Sequence, residues 1–132
     1  MAKYVYPAVF TPEDGLYSVN FPDLEGCYTC GDTLADAIKM AEDVLALTLY
    51  SLEKRHLPIP EASLPGSIPL ENDSFVNLVA CDTIDYQRRN NTRSVKKTLS
   101  IPEWLDVIAT EHNANFSQDL QEILKAKYVE IG

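Results

Sequence analysis

The sequence predicts an α+β protein built in two parts, and three patterns carry that prediction. Apolar residues alternate over "KYVYPAVF" and "LYSVNF". They then recur at three- and four-residue spacing from Leu34 to Leu52, and the alternation restarts much later, at "VKKTLSI". Strands, one long helix and a second, smaller strand-and-helix unit follow from these periods. With 132 residues, 45% of them apolar and 23% charged, the chain can bury a core of ordinary size.

The first strand sets Tyr4, Tyr6, Ala8 and Phe10 on one face and Val5, Pro7 and Val9 on the other. Pro7 lacks a ladder donor, which places this strand at an edge or a bulge. "TPEDG" turns the chain into "LYSVNF", the return strand of a hairpin, and "CYTC" is a third short strand. Asp32 or Thr33 caps the helix, because Thr33 and Asp36 have the spacing of a capping box and carboxylates suit the positive end of the dipole. Leu34, Ala37, Ile38, Ala41, Leu45, Leu49 and Leu52 form the stripe that faces the sheet. Met40, Val44 and Leu47 widen it beyond what one sheet contact needs, so they belong either to the core or to a partner surface. Pro58 ends the helix, the proline-rich "LPIPEASLPGSIPL" is a loop, and "SFVNLVACD", apolar on both faces, is a central fourth strand.

Residues 1–86 thus make a β-β-β-α-β layer, residues 87–94 a basic linker, and residues 95–132 a tail. In the tail, Val95, Lys97, Leu99 and Ile101 share one strand face while Lys96, Thr98 and Ser100 share the other. Pro102 opens a helix at its first position, where the missing N–H costs nothing, and Ser117 caps a second. One strand and two helices cannot bury a core, and a lone strand leaves its ladder groups unpaired. A second copy of the chain is the simplest remedy, its strand pairing antiparallel in a two-stranded ribbon backed by four helices. Such a ribbon fits the DNA major groove. Lys96, Thr98 and Ser100 would then reach base edges, Arg88, Arg89 and Arg93 would contact phosphates, and the N–H groups around Ser117 would hold another phosphate.

Charge divides the chain in the same way. Through Tyr86 there are four Lys and Arg against 14 Asp and Glu; from Gln87 onward there are seven against six. Five basic residues and no acidic one lie between Arg88 and Lys97, which suits either a solvated linker or an anionic ligand. No apolar run is long enough to span a membrane and the first residues lack the features of a signal peptide, so a cytoplasmic protein is expected.

"GCYTCGDT" holds a Cys-x-x-Cys, yet no second ligand pair accompanies Cys27 and Cys30, and Cys81 with two distant histidines does not supply one. A thiol oxidoreductase would put the first cysteine at the helix cap, where Asp32 and Thr33 stand instead. Cys27 therefore reads as a small buried residue and Cys30 as incidental. His56 and His112 sit near helix ends and read as surface residues. No metal or other cofactor is expected.

The tail "VKKTLSIPEWLDVIATEHNANFSQDLQEIL" resembles the ribbon-helix-helix repressors in its alternating strand, its proline-opened helix and its polar-capped second helix. The segment "YPAVFTPEDGLYSVNFPDLEGCYTCGDTLADAI" resembles the HicB antitoxin family, with its Phe-Pro-Asp, its Gly-Cys and its Gly-Asp-Thr opening a helix. The resemblance implies a degenerate ribonuclease H-like domain joined to a DNA-binding tail. It also implies a function: neutralising a HicA toxin, a small basic ribonuclease acting on mRNA, and repressing the shared operon. The acidic excess agrees with a basic partner, and Glu13, Asp14, Asp23, Glu25, Asp36 and Asp43, with the apolar Met40, are the candidate toxin contacts. Metal-assisted RNA hydrolysis is not expected, since "KYVYPAVF" offers no carboxylate to hold a divalent ion. The implied assembly is a homodimer through the tail strand, and a second self-contact would make it a tetramer. The competing reading is a ribbon-helix-helix repressor that senses a small ligand and has no toxin partner.

Overall fold

The first strand runs further than its apolar alternation suggests. In the computed structural model, which describes residues 3–129, β1 spans Lys3–Glu13 and passes through Thr11 and Pro12 before the chain turns. The turn itself is Asp14-Gly15, with φ of 44° and 81°. Positive φ at both central residues is what a two-residue type I′ hairpin requires, and Asp-Gly supplies it at low cost. β2, Leu16–Asn20, pairs back antiparallel from Glu13↔Leu16 to Val9↔Asn20. β3 is Tyr28–Gly31, α1 is Leu34–Lys54 and β4 is Phe75–Asp82. The four strands form one antiparallel sheet in the order β3-β2-β1-β4.

Two expectations about this sheet are corrected. β1 is central and β4 lies at the edge, the reverse of what Pro7 and the apolar "SFVNLVACD" suggest. Pro7 is tolerated because β2 pairs with β1 only from Val9 onward, so at Pro7 the strand has a neighbour, Leu78, on one side alone. β4 looks doubly buried in sequence, but its Leu78 is 54% exposed.

The core lies between sheet and helix. Tyr6, Ala8 and Phe10 of β1, Val19 of β2 and Val79 of β4 meet Ala37, Ala41, Leu45 and Leu49 of α1. Phe10 stacks on Phe75 at 5.4 Å. Small residues at 37 and 41 let the helix settle close to the sheet, and Gly31 takes this furthest. A Cβ on Gly31 would lie 2.6 Å from Ala37 Cα and 2.8 Å from the Asp36 carbonyl carbon. Thr33 is the N-cap, its Oγ1 accepting from the Asp36 N–H at 3.1 Å. The helix stops before Pro58: His56 adopts φ 55°, and Leu57 N–H bonds to Leu52 O at 2.9 Å while His56 N–H bonds to Glu53 O at 3.1 Å. That is a Schellman stop with histidine where glycine is usual.

A short helix absent from the sequence reading follows β4. α2, Thr83–Asn90, is capped by Asp82, whose Oδ1 accepts from Ile84 N–H at 2.9 Å and Asp85 N–H at 3.3 Å. Gln87 through Asn90, read as linker, are its last turn. Glu53 ties β1, α1 and α2 together by accepting from Tyr4 OH at 2.7 Å and Thr83 Oγ1 at 3.2 Å. Burial, then the hydrogen bond and charge of Glu53, push Tyr4 up to about 12.

The chain divides at Arg93 and Ser94 into two units. The second holds α3, Glu103–Glu111, and α4, Phe116–Tyr128. Residues 91–102 carry no strand, so the strand expected over "VKKTLSI" is not formed in the single chain. A strand exists only through its ladder, and this segment finds no backbone to pair with among the described residues. Helix starts are also shifted: Pro102 is the cap and not the first helical residue, and α4 is capped by Asn115 and not Ser117. Asn115 Oδ1 accepts from Gln118 N–H at 3.0 Å, which puts Ser117 inside the first turn. Neither helix has a buried residue; Trp104 is 65% and Ile123 62% exposed.

Candidate functional site

α1 has more apolar surface than the sheet can cover. Its buried residues are Ala37, Ala41, Leu45, Ala46 and Leu49. Met40, at 44%, and Leu47, at 51%, stay exposed, and Val44 between them is half-buried. The stripe left open in the sequence between core and partner surface is therefore mostly surface. Asp36, Met40 and Asp43 are spaced by four and then three residues, so they share one helix face with Val44 and Leu47. Beside that face is a groove of about 370 Å³ whose walls include Thr29 of β3 and Tyr86 of α2. Tyr86 is held by a tilted ring contact with Tyr50 at 5.6 Å. Arg89 also reaches the groove, and its Nε donates to Asp85 Oδ2 at 3.1 Å.

The other candidate toxin contacts are dispersed. Glu13 and Asp14 sit at the exposed hairpin end. Glu25 is exposed in the loop before β3. Asp23 is already engaged: it accepts from Ser63 N–H at 2.9 Å and from Ser63 Oγ, pinning the loop that follows α1. Leu47, which the sequence leaves between core and partner surface, and Tyr86, which it does not mark, complete the face. The excess of the α1 stripe points to Leu47; Tyr86 belongs to α2, a helix outside the sequence expectation, whose local signal is the charge order from Asp82 to Arg89.

Of the candidate DNA contacts, Arg93 is exposed at the end of the first unit, and Lys96, Thr98 and Ser100 are exposed in the strandless segment. Ser117 accepts from Gln121 Nε2 at 3.3 Å within α4.

The cysteines divide as their surroundings dictate. Cys27 is buried in the core, its Sγ donating to Val44 O at 3.8 Å, while Cys30 is exposed and Cys81 half-buried. Burial pushes the Cys27 thiol up, and burial, then the charges of Asp82 and Glu53, push Cys81 up to about 12. Only thiolates react with alkylating agents. Native protein should therefore lose one thiol quickly to a thiol reagent, mapped to Cys30, and release all three only in denaturant; fast native labelling of Cys81 would contradict this. Among the described residues no three His, Cys, Asp or Glu are grouped to hold a metal ion. No described helix is long and apolar enough to cross a membrane.

Comparison with known proteins places this arrangement. Residues 6–123 match the family described as HicB-like antitoxin of bacterial toxin-antitoxin system. Antitoxin HicB 2 of Photorhabdus laumondii is 23% identical over 111 residues, covering 82% of this chain and 80% of its own. Among solved structures, a toxin-antitoxin complex from Streptococcus pneumoniae contains a chain with 28% identity and a TM-score of 0.62, covering 95% of this chain and 99% of its own. A HicA3 and HicB3 toxin-antitoxin complex gives 25% identity and a TM-score of 0.51, with 60% of this chain and 99% of the other covered.

Proposed function

This chain belongs to the HicB-like antitoxin family, and from that premise we propose that it binds and neutralises a HicA-type mRNA-cleaving toxin and represses its own operon through operator DNA. The observation that carries the first half is the acidic unit with an apolar α1 face framed by Asp36 and Asp43. A basic, RNA-binding protein is the partner such a surface attracts, because opposite fields speed encounter and like fields exclude wrong partners. Neutralisation needs no catalysis by this chain; covering the toxin suffices. The element order of three strands, helix and strand supports assigning the first unit to the degenerate ribonuclease H-like class.

The second half rests on the tail. Val95, Leu99, Ile101, Trp104, Ile123 and Tyr128 are all exposed in the single chain, and a homodimer that pairs the two "VKKTLSI" segments would cover such residues. That ribbon would present Lys96, Thr98 and Ser100 to the major groove, with Arg93 and the start of α4 on phosphates. A further contact between first units would build a tetramer.

Co-expression with the protein of the adjoining reading frame, followed by purification, tests the toxin partner directly: a stable complex is expected, and its absence would sink the proposal. For DNA, Lys96→Ala or Thr98→Ala should weaken operator binding by about 1–3 kcal/mol while leaving the toxin complex intact. Gel shifts unchanged in both variants would remove the ribbon assignment.

A further inference from the structure

We propose that the face of α1 carrying Met40, Val44 and Leu47 is a trough that seats an amphipathic helix of the toxin, apolar on its inner side and basic along its margins. This rests on the antitoxin reading and adds the place and the chemistry of the contact. The groove beside Met40 and Val44 does not end at Leu47, which also lines a second depression of about 690 Å³ together with Leu24, Leu52 and Leu57. The two depressions share Leu47 as a lining residue. From Met40 to Leu47 the apolar face follows α1 for about 11 Å, the length of two helical turns. An apolar floor of that length, flanked by another helix, is the form in which amphipathic helices are received.

Charge selects among occupants. Asp36 and Asp43 stand on either side of Met40, and Glu25 lines the second depression. Arg55 lines that depression too, whereas Arg89 is taken up by Asp85. Around Met40 the margin is thus acidic, which repels the phosphates of a nucleic acid. A second copy of this chain is disfavoured for a related reason. A two-fold contact through this face would bury the Asp36 and Asp43 carboxylates of both copies in one interface, four like charges together. A basic helix meets neither objection. Met40 is also suited to a partner surface, because its unbranched thioether repacks around the side chain it receives.

The test uses the full chain co-expressed with the protein of the adjoining reading frame, with affinities measured by calorimetry. Met40→Glu and Leu47→Glu place a charge at exposed positions, and Leu78→Glu on β4, exposed to a similar degree, is the control. Wild type should bind, both trough variants should lose at least about 30-fold in affinity, and the control should bind as wild type does. Thermal melts accompany each variant. If Leu47→Glu lowers the melt, the double charge reversal Asp36→Lys and Asp43→Lys replaces it and should weaken binding at low salt far more than at high salt. A complex that forms with wild type and equally well with the trough variants overturns the trough and leaves the antitoxin reading standing. No complex with wild type overturns both.

Discussion

Replacing Gly31 by alanine will destabilise the first unit by about 3 kcal/mol, lowering its melting temperature by about 15 °C. The sign is not obvious from composition, because alanine in a strand ordinarily stabilises relative to glycine by reducing the freedom of the unfolded chain. Space decides here. The added methyl group meets the backbone of Asp36 and Ala37, atoms that cannot rotate away as a side-chain tip could. Either β3 or the first turn of α1 must move, and α1 is fixed in turn by Ala37 and Ala41 against the sheet. Gly66→Ala is the matched control, since a Cβ there meets nothing within 4 Å. Urea or thermal unfolding followed by circular dichroism reads both variants; equal stability of the two would refute the close approach. Because the displaced turn carries Asp36, toxin affinity should fall together with stability.

Ending the chain at Arg93 will leave a folded protein that still binds the toxin but loses operator binding by about 10³-fold or more. Every residue of the hydrophobic core cluster lies between Tyr6 and Val79, so the deletion removes no part of it. The deleted tail holds Lys96, Thr98 and Ser100 and the strand segment through which the dimer is proposed to form. A shortened chain that fails to fold, or that retains full operator affinity, would refute this division of labour. Toxin binding measured on the same material separates the outcomes, since loss of both activities means loss of the fold.

How much was legible depended on the distance over which each feature is determined. The Asp14-Gly15 turn and the α1 stripe are local and follow from spacing, and the cap is narrowed by spacing to Asp32 or Thr33, of which Thr33 serves. β4 at the sheet edge is a matter of which strands meet, which local pattern does not encode; an apolar run looks the same whether it is buried or merely unpaired on one side. α2 was readable in principle. Asp82, with Asp85 three residues on and Arg88 and Arg89 at the far end, has the charge order of a short helix. The basic residues at its far end equally fit a linker. The strand expected over "VKKTLSI" is a different case: its alternation is local, but a strand needs a partner, and the described residues offer it none. In the site, Asp36, Met40 and Asp43 fell on one face because helical spacing is strict, whereas Asp23 was lost to Ser63 through a loop contact that spacing cannot foresee.

The absence of buried residues in α3 and α4 has a thermodynamic consequence. An element whose apolar side chains are covered only by another molecule gains its order by mass action. A homodimer through the tail would therefore give this chain two stabilities: one for the first unit that does not vary with dilution, and one for the tail that falls as the protein becomes scarce. A single melting temperature would then be undefined for the whole molecule. Operator occupancy would drop more steeply than the copy number itself, because such a repressor would need two chains before it could hold DNA.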